Sequence, residues 1–314
     1  MPNTLYLPEL REMLKDNNKV ELEEFCTALH PARTAEFMES LTPLEMWEVL
    51  GYASGPLKVE IFGFIDDEAK IEILEKTDRP EIASFVGDLP PDDRVDLLKK
   101  VDPKIVDELM PLIPAEERRD ILRLRSYPEH TAGAVMTSEF ARLSEDLRVD
   151  EALEAIGKQA EKLETIYYLY VVDEEDHLRG LASARQLVSA IHKPETRIKD
   201  LMERDIVTVN VLDDQEEVAD KVARYDLLAI PVVDDERHMV GIVTHDDIID
   251  VVREEAVEDA YRIAAVEPFD AGYLETPVPL LAWKRGIWLT ILFFGAMLTA
   301  IALTKFEPTF EMFP

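Results

Sequence analysis

"YVVDEEDHLRGLASARQLV" (residues 170–188) and "PVVDDERHMVGIVTHDDII" (residues 231–249) are two copies of one pattern. With an offset of 61, Val171 falls on Val232, Asp173 on Asp234, His177 on His238, Gly180 on Gly241 and Ser183 on Thr244. Each copy reads as an apolar strand, an acidic turn, a second strand and a closing helix. Upstream, each has an extended opening ("AVMTSEFARL" from Ala134, "DLMERDIVTV" from Asp200) and then a helical pattern ("VDEALEAIGKQA", "QEEVADKVARY"). Met136 and Met202 mark the two openings, and the first copy carries about five extra residues before its central strand. A duplicated β-α-β-β-α unit is the consequence.

Before the duplication a different spacing rules. Helix-start residues recur at Pro31, Pro43, Pro56, Asp67, Pro80, Pro91, Pro103 and Pro114, eleven to thirteen apart, each followed by apolar residues at helical spacing. Proline in a first helical turn loses no hydrogen bond and comes with its φ preset. Short antiparallel helices stacked into a superhelix are therefore predicted.

After the duplication comes "THDDIIDVVREEAVED", with seven carboxylates and one Arg in its last fourteen residues. At 100° per residue Ile249, Val252, Ala256, Ala260 and Ile263 make an apolar stripe, with Asp247, Asp250, Glu254 and Glu258 opposite. Like charges three and four apart repel, so this acidic face is either solvated or matched by a counter-charge. Further on, residues 286–304 run nineteen positions without a charge, roughly 28 Å of helix and close to the hydrocarbon thickness of a bilayer. Trp283, Trp288, Lys284 and Arg285 sit at its near end, as an interfacial belt and a basic cytoplasmic flank would. A transmembrane helix with the preceding chain in the cytoplasm is predicted, and the N-terminus has no signal-peptide pattern.

Composition narrows the function. The formal charge of -32, from 66 acids against 34 bases in 314 residues, repels phosphates and argues against nucleic acid; cations or basic proteins suit it. A single cysteine, Cys26, excludes an internal disulfide. No HExxH, P-loop, GxSxG or paired-cysteine motif offers a catalytic constellation, so no enzyme is expected.

The opening "VMT", the central "IPVVDD" and the closing "GIVTHDDI", each with a counterpart in the other copy ("LME", "LYVVDE" and "GLASARQL"), resemble a tandem pair of CBS domains. With the helical repeats before them, the acidic helix and the apolar segment after, the whole chain is similar to the cytosolic part and first membrane helix of the MgtE family of magnesium channels. The resemblance rests on "LPPDDRVDLL", "HTAGAVMT", both CBS signatures and "EEAVEDAYRIAAVE". It implies a multidomain chain: an all-α superhelical N-terminal domain (1–126), an α/β tandem CBS pair (127–253, copies 130–192 and 198–253), a long acidic connecting helix and linker (246–280) and one transmembrane α-helix (281–305). It further implies a homodimer in the inner or plasma membrane, with residues 1 to about 280 cytoplasmic, and pore helices that this sequence does not contain.

Several regulatory Mg²⁺ ions are also implied, held by carboxylates of the three cytosolic parts. Motif by motif these are Glu60, Asp92 and Asp96; Asp214, Glu216 and Asp226; and Asp247, Asp250, Glu255, Glu258 and Asp259. Hydrated Mg²⁺ takes one or two carboxylates per site, and residues 203–270 hold 20 acids against 6 bases. The CBS cleft implies an adenine nucleotide such as ATP at Thr244, Asp247 and Pro231; the first copy has Ser183 but Gln186 where the aspartate would stand, and a purely structural cleft is the other reading. Two rival functions stay open: a membrane-anchored adenine-nucleotide sensor, and a scaffold gripping a basic partner.

Overall fold

A computed structural model describes residues 5–160, 163–263, 283, 286 and 289–301. Residues 1–248 form one compact unit and residues 249–314 a second.

The first unit begins with ten helices: α1 (Leu7–Asp16), α2 (Lys19–Ala28), α3 (Pro31–Met38), α4 (Pro43–Leu50), α5 (Gly55–Gly63), α6 (Asp67–Lys76), α7 (Arg79–Asp88), α8 (Pro91–Lys100), α9 (Pro103–Leu109) and α10 (Ala115–Leu124). From α3 on, each start matches a predicted one; α1 and α2 lie outside that count. Prolines occupy the first turns of α3, α4, α5, α7, α8 and α9. Where proline is not enough, a side chain caps: Thr42 and Glu45 form a reciprocal capping box, and Asp66 accepts from the Ala69 N–H at 2.9 Å. Each helix packs on the next but one, α3 on α5, α4 on α6, and so on to α8 on α10. This register makes the repeat a superhelix. Its axis is filled by Leu22, Met38, Leu50, Phe62, Ile73, Ile82, Leu98 and Leu109, all at most 1% exposed, each contributing about 1.5–3 kcal/mol by burial. Cys26 lies in this core, its thiol pushed up to about 11 by burial.

The first β-α-β-β-α copy comprises α11 (Ala132–Val135), β1 (Phe140–Ser144), α12 (Val149–Gln159), β2 (Thr165–Val172), β3 (Leu178–Ser183) and α13 (Ala184–Ser189). The second comprises α14 (Ile198–Leu201), β4 (Val209–Asn210), α15 (Gln215–Tyr225), β5 (Ala229–Val233), β6 (Met239–Thr244) and α16 (His245–Ile263). In both, the outer strand runs parallel to the central one and the last antiparallel. The opening residues cross over. Thr137 of the first copy exchanges both backbone hydrogen bonds with Ile242 on β6, at 2.8 and 3.0 Å, and Glu203 of the second does the same with Leu181 on β3, at 2.8 and 2.9 Å. One core, with Phe140, Tyr170, Val172 and Leu178 facing Ala229, Val233, Met239 and Ile242, belongs to both copies.

The matched glycines now have a reason. A Cβ on Gly241 would stand 2.6 Å from the Met136 sulfur and 2.8 Å from the Thr137 carbonyl; one on Gly180 would stand 2.5 Å from the Met202 sulfur. Each glycine admits the opening methionine of the other copy. Gly241→Ala is expected to cost about 1–3 kcal/mol, the ordinary range for overpacking, measured by denaturant melting. Met136→Ala in the same chain should recover only part of the loss, because the Thr137 carbonyl stays where it is.

In α16, Ile248 and Val251 are buried (4% and 5% exposed) while Ile249 and Val252 lie open at 40% and 53%. Over this first part of α16 the buried face is therefore one residue earlier than the apolar stripe read from the sequence; the side chains of Ala260 and Ile263 of that stripe lie outside the described ones. In the second unit, residues 289–301 are helical with Leu289, Ile291, Leu292, Phe293, Phe294 and Leu298 all more than half exposed. Among the described residues no helix is long and apolar enough to cross a membrane; residues 281–282, 284–285, 287–288 and 302–305 of the predicted span, and 264–280 of the predicted linker, lie outside them.

Candidate functional site

Two helix N-termini and one loop meet in a group of carboxylates. The first is α8, whose leading "PPDD" places Asp92 and Asp93 in the opening turn, where the helix dipole favours negative charge. Arg94, 3% exposed, locks the turn before it by donating to the Gly87 and Leu89 carbonyls at 2.9 and 2.6 Å. The second is α16: the Thr244 hydroxyl and N–H both donate to one Asp247 oxygen, at 2.5 and 3.3 Å. The third is Glu164, the last residue of the extra segment before β2, held by its N–H on the Glu139 carbonyl at 2.9 Å.

These groups press on one another. Burial, then the charges of Asp247, Asp93 and Glu164, hold the Asp92 carboxyl well above the ordinary carboxylate range. Its Oδ1 is enclosed and has no hydrogen-bond partner among the described residues. Asp247 is pushed up to about 6, by burial first and by Asp246 and Asp93, with the Thr244 hydrogen bonds pulling the other way. Glu164 is pushed up to about 7 by burial, then Asp247, Asp246, Asp93 and Glu139. More than a third of the Glu164 surface stays in solvent, so water moderates its shift more than that of Asp247. An enclosed, orphaned carboxylate oxygen among charges that repel fits a bound cation. The donor set is oxygen alone, which suits a hard ion such as Mg²⁺ and not zinc.

Glu164 also lines a cavity of about 460 Å³ with Pro56, Val59, Glu60, Asp88 and Glu139. Thus the structure places Asp92 and Asp247 in one electrostatic group, and Glu60 on the wall of the cavity that Glu164 also lines. The other sequence-predicted carboxylates have local partners or face solvent. Asp96 pairs with Lys99 at 2.9 Å. Asp214 caps α15 by accepting from the Glu216 N–H at 2.9 Å, and Glu216 is exposed. Asp226 ends that helix in the left-handed conformation, at φ 51°. Asp250 pairs with Arg253 at 3.2 Å, and Glu255 is half-buried; the side chains of Glu258 and Asp259 lie outside the described ones. Sequence reading missed Asp93 and Glu164. The signal was there, in the doubled aspartate of "PPDD" and in the extra segment that delivers Glu164.

The nucleotide pattern has a structural side. In the first copy, Gln186 accepts from the Ser183 N–H and hydroxyl at 2.7 and 3.0 Å and donates to the Leu201 carbonyl at 3.2 Å. Ser183–Gln186 and Thr244–Asp247 both tie the N-terminus of a closing helix, and Pro231 is buried in β5.

The architecture is a helical repeat leading into a tandem pair of β-α-β-β-α copies, with carboxylates gathered where they join. Residues 29–130 match the family described as MgtE intracellular N domain, and residues 132–193 and 198–254 match the CBS domain. The Enterococcus faecalis protein named magnesium transporter MgtE is 40% identical over 301 residues, 95% of this chain and 65% of that protein. The Thermus thermophilus protein of that name is 42% identical over 60% of this chain and 41% of its own length. The crystal structure of the soluble part of a magnesium transporter is 36% identical with TM-score 0.74, covering 79% of this chain and 97% of that one. The cytosolic domain of the Mg²⁺ channel MgtE in complex with ATP is 34% identical with TM-score 0.71, covering 77% and 98%. The chain belongs to the MgtE family. It spans less than two thirds of the length of these curated transporters.

Proposed function

We propose that this chain is the Mg²⁺-sensing and gating portion of a Mg²⁺ channel. The observation that carries the reading is the enclosed Asp92 carboxyl, whose Oδ1 has no hydrogen-bond partner among the described residues and which the charges of Asp247, Asp93 and Glu164 hold above the ordinary range. With little Mg²⁺ these carboxylates repel and the two parts separate; Mg²⁺ replaces repulsion with bridging and draws the chain into a compact form that favours a closed pore. Moving a two-state equilibrium from 1:99 to 99:1 takes roughly 5.5 kcal/mol, and a site filled at ten times its dissociation constant contributes about 1.4 kcal/mol. About four or more ions are therefore needed, which is why we assign the dispersed acids Glu60, Asp96, Asp214, Glu216, Asp226, Asp250, Glu255, Glu258 and Asp259 to further regulatory sites.

The same reading places residues 281–305 in a cell membrane and residues 1 to about 280 in the cytoplasm, and pairs two copies as a homodimer. Exposed Leu289, Ile291, Leu292, Phe293 and Phe294 around one helix support lipid contact. Adenine nucleotide is the second ligand. The ATP complex of the similar cytosolic domain supports it, and the exchange of Thr244 between Asp247 and a ligand would couple it to the cation cluster.

Thermal melting of the chain in mild detergent tests both. A millimolar Mg²⁺ series should raise the melting temperature steeply against Na⁺ of equal ionic strength, and ATP should add a separate rise that Thr244→Val removes. A flat Mg²⁺ response with a full ATP response would replace the sensor with a nucleotide-responsive regulator.

A further inference from the structure

The acidic turns of the two CBS copies are zipped together far from any role given to them so far. Leu178 donates its N–H to the Arg237 carbonyl at 3.2 Å and Met239 donates to the Asp176 carbonyl at 2.9 Å. Asp176 and Arg237, matched positions, both adopt the left-handed conformation, at φ 64° and 70°, so the two turns share one shape. At their junction the rings of His177 and His238 stack, with centroids 4.4 Å apart and planes 24° from parallel. Around them stand Asp173, Glu175, Asp234 and Glu236. His177 Nδ1 lies 3.2 Å from Asp173 and 3.7 Å from Glu175; His238 Nδ1 lies 2.9 Å from Asp234. In the second turn the donor atoms of Asp234, Glu236 and His238 all fall within 4.8 Å of one another.

A hairpin turn needs only part of this. Asp234 accepts from the N–H groups of Glu236 and His238 at 3.0 and 2.8 Å, and Asp173 does the same for Glu175 and His177 at 3.0 and 3.0 Å, which secures each turn without an imidazole. Nothing in that role asks for a histidine at both positions or for the carboxylates of Glu175 and Glu236 beside them.

We propose that the second of the paired turns forms a binding site for a borderline divalent transition ion of the Zn²⁺, Co²⁺ and Ni²⁺ class, ligated by His238, Asp234 and Glu236 with water completing the shell. The stacked His177 ring and the charge of Glu175 on the facing turn support His238 from outside the coordination sphere. Imidazole nitrogen with carboxylate oxygen is the donor mixture these ions prefer, whereas Mg²⁺ favours oxygen and water. The main-chain zipper preorganises the turns, and the exposed Glu236 side chain needs to move only a short way to close the set. Because the donors differ from those around Asp92, the site responds to a different class of ion.

The test titrates Zn²⁺ into the full 314-residue chain in mild detergent, with Mg²⁺ held in excess so that oxygen-only sites are occupied. Co²⁺ replaces Zn²⁺ in a parallel run, read by its visible absorption. Wild-type chain should bind Zn²⁺, and His238→Gln and Glu236→Gln should each weaken binding tenfold or more. The Glu236 carboxylate takes no part in the turn's hydrogen bonds given above, so Glu236→Gln keeps the test decisive if His238→Gln disturbs folding. Asp92→Asn should leave Zn²⁺ binding unchanged, which separates this site from the Mg²⁺ cluster. Absence of Zn²⁺ binding under excess Mg²⁺, or binding that both turn variants keep, would overturn the assignment.

Discussion

Asp92→Asn is expected to raise the melting temperature of the Mg²⁺-free chain at pH 8 while removing much of the gain that Mg²⁺ gives. The amide keeps the shape of the carboxylate but not its charge. Held well above the ordinary range by burial and by three neighbouring acids, Asp92 destabilises the fold whenever it is ionised and unmatched. Relieving one such charge is worth about 1–2 kcal/mol, scaled down from the several kcal/mol of full ionic burial because the residue is only half-buried. That corresponds to a rise of roughly 2–8 °C for a unit of this size. In Mg²⁺ the sign reverses: the wild-type chain gains a bridging ligand and the variant does not, so the two melting curves converge or cross. Asp247→Asn should act alike, and the double variant should show a non-additive coupling of about 0.5–3 kcal/mol, as residues sharing one network do. A drop in Mg²⁺-free stability with the full Mg²⁺ gain retained would make Asp92 a structural residue and sink the sensor assignment.

The second large effect is on pH. Asp247 rises from an ordinary 3.8 to about 6 in the fold and Glu164 from 4.5 to about 7. A carboxyl raised in the fold prefers its proton there, so its stabilising contribution is fully present below the unfolded value and is lost as pH climbs through the folded one. Without Mg²⁺ the chain should therefore be more stable at pH 5 than at pH 8, with the decline falling between about 5 and 7. Between pH 5 and 8 Asp247 alone accounts for about 1.4 kcal/mol, one unit at 1.36 kcal/mol, because the rest of its contribution is already lost between its unfolded value and pH 5; the share of Glu164 is cut back by the third or more of its surface that lies in water. His238, raised by its hydrogen bond to Asp234 and then by nearby carboxylates, gives a decline of the same sign, so Asp247→Asn is the control that isolates the cluster. Millimolar Mg²⁺ should abolish the cluster's share, because the ion takes the place of the protons, and its apparent affinity should tighten from pH 6 to 8. Greater Mg²⁺-free stability at pH 8 than at pH 5 would contradict the arrangement.

Much of this was legible in the chain itself. Proline and its capping partners announce helix starts through local geometry, and the starts from α3 to α10 follow them closely. The 61-residue match announced two copies, because strand, turn and strand each leave a short local pattern. What stayed hidden depends on distant parts of the chain. Nothing local shows that Thr137 would pair with Ile242 or that Met136 would fill the space over Gly241. The facing of α16 was read from its apolar spacing, yet Ile248 and Val251, not Ile249 and Val252, are the buried residues at its start. At the candidate site, Asp92 and Asp247 were recognised through resemblance to a family. Glu164 was missed because its importance arises from a loop that reaches two helix ends, and carboxylates such as Asp96 and Asp250 carry the same letters whether they meet a distant acid or a nearby Lys99 or Arg253.

The crossed opening strands bear on the order in which the protein is made. Thr137 leaves the ribosome early, but the partner that completes its hydrogen bonds is Ile242, and at about 5–20 residues per second that partner follows roughly 5–20 s later. Throughout that interval the methionine that will sit over Gly241 has no pocket, although Glu203, which pairs with Leu181, has already emerged before Ile242. The superhelix can consolidate from its own near neighbours as it emerges; the CBS pair must instead close almost at once, when its last strand arrives. A nascent chain halted before residue 242 should accordingly carry a folded helical domain and an incomplete sheet, making this stretch of synthesis the period in which a chaperone has most to do.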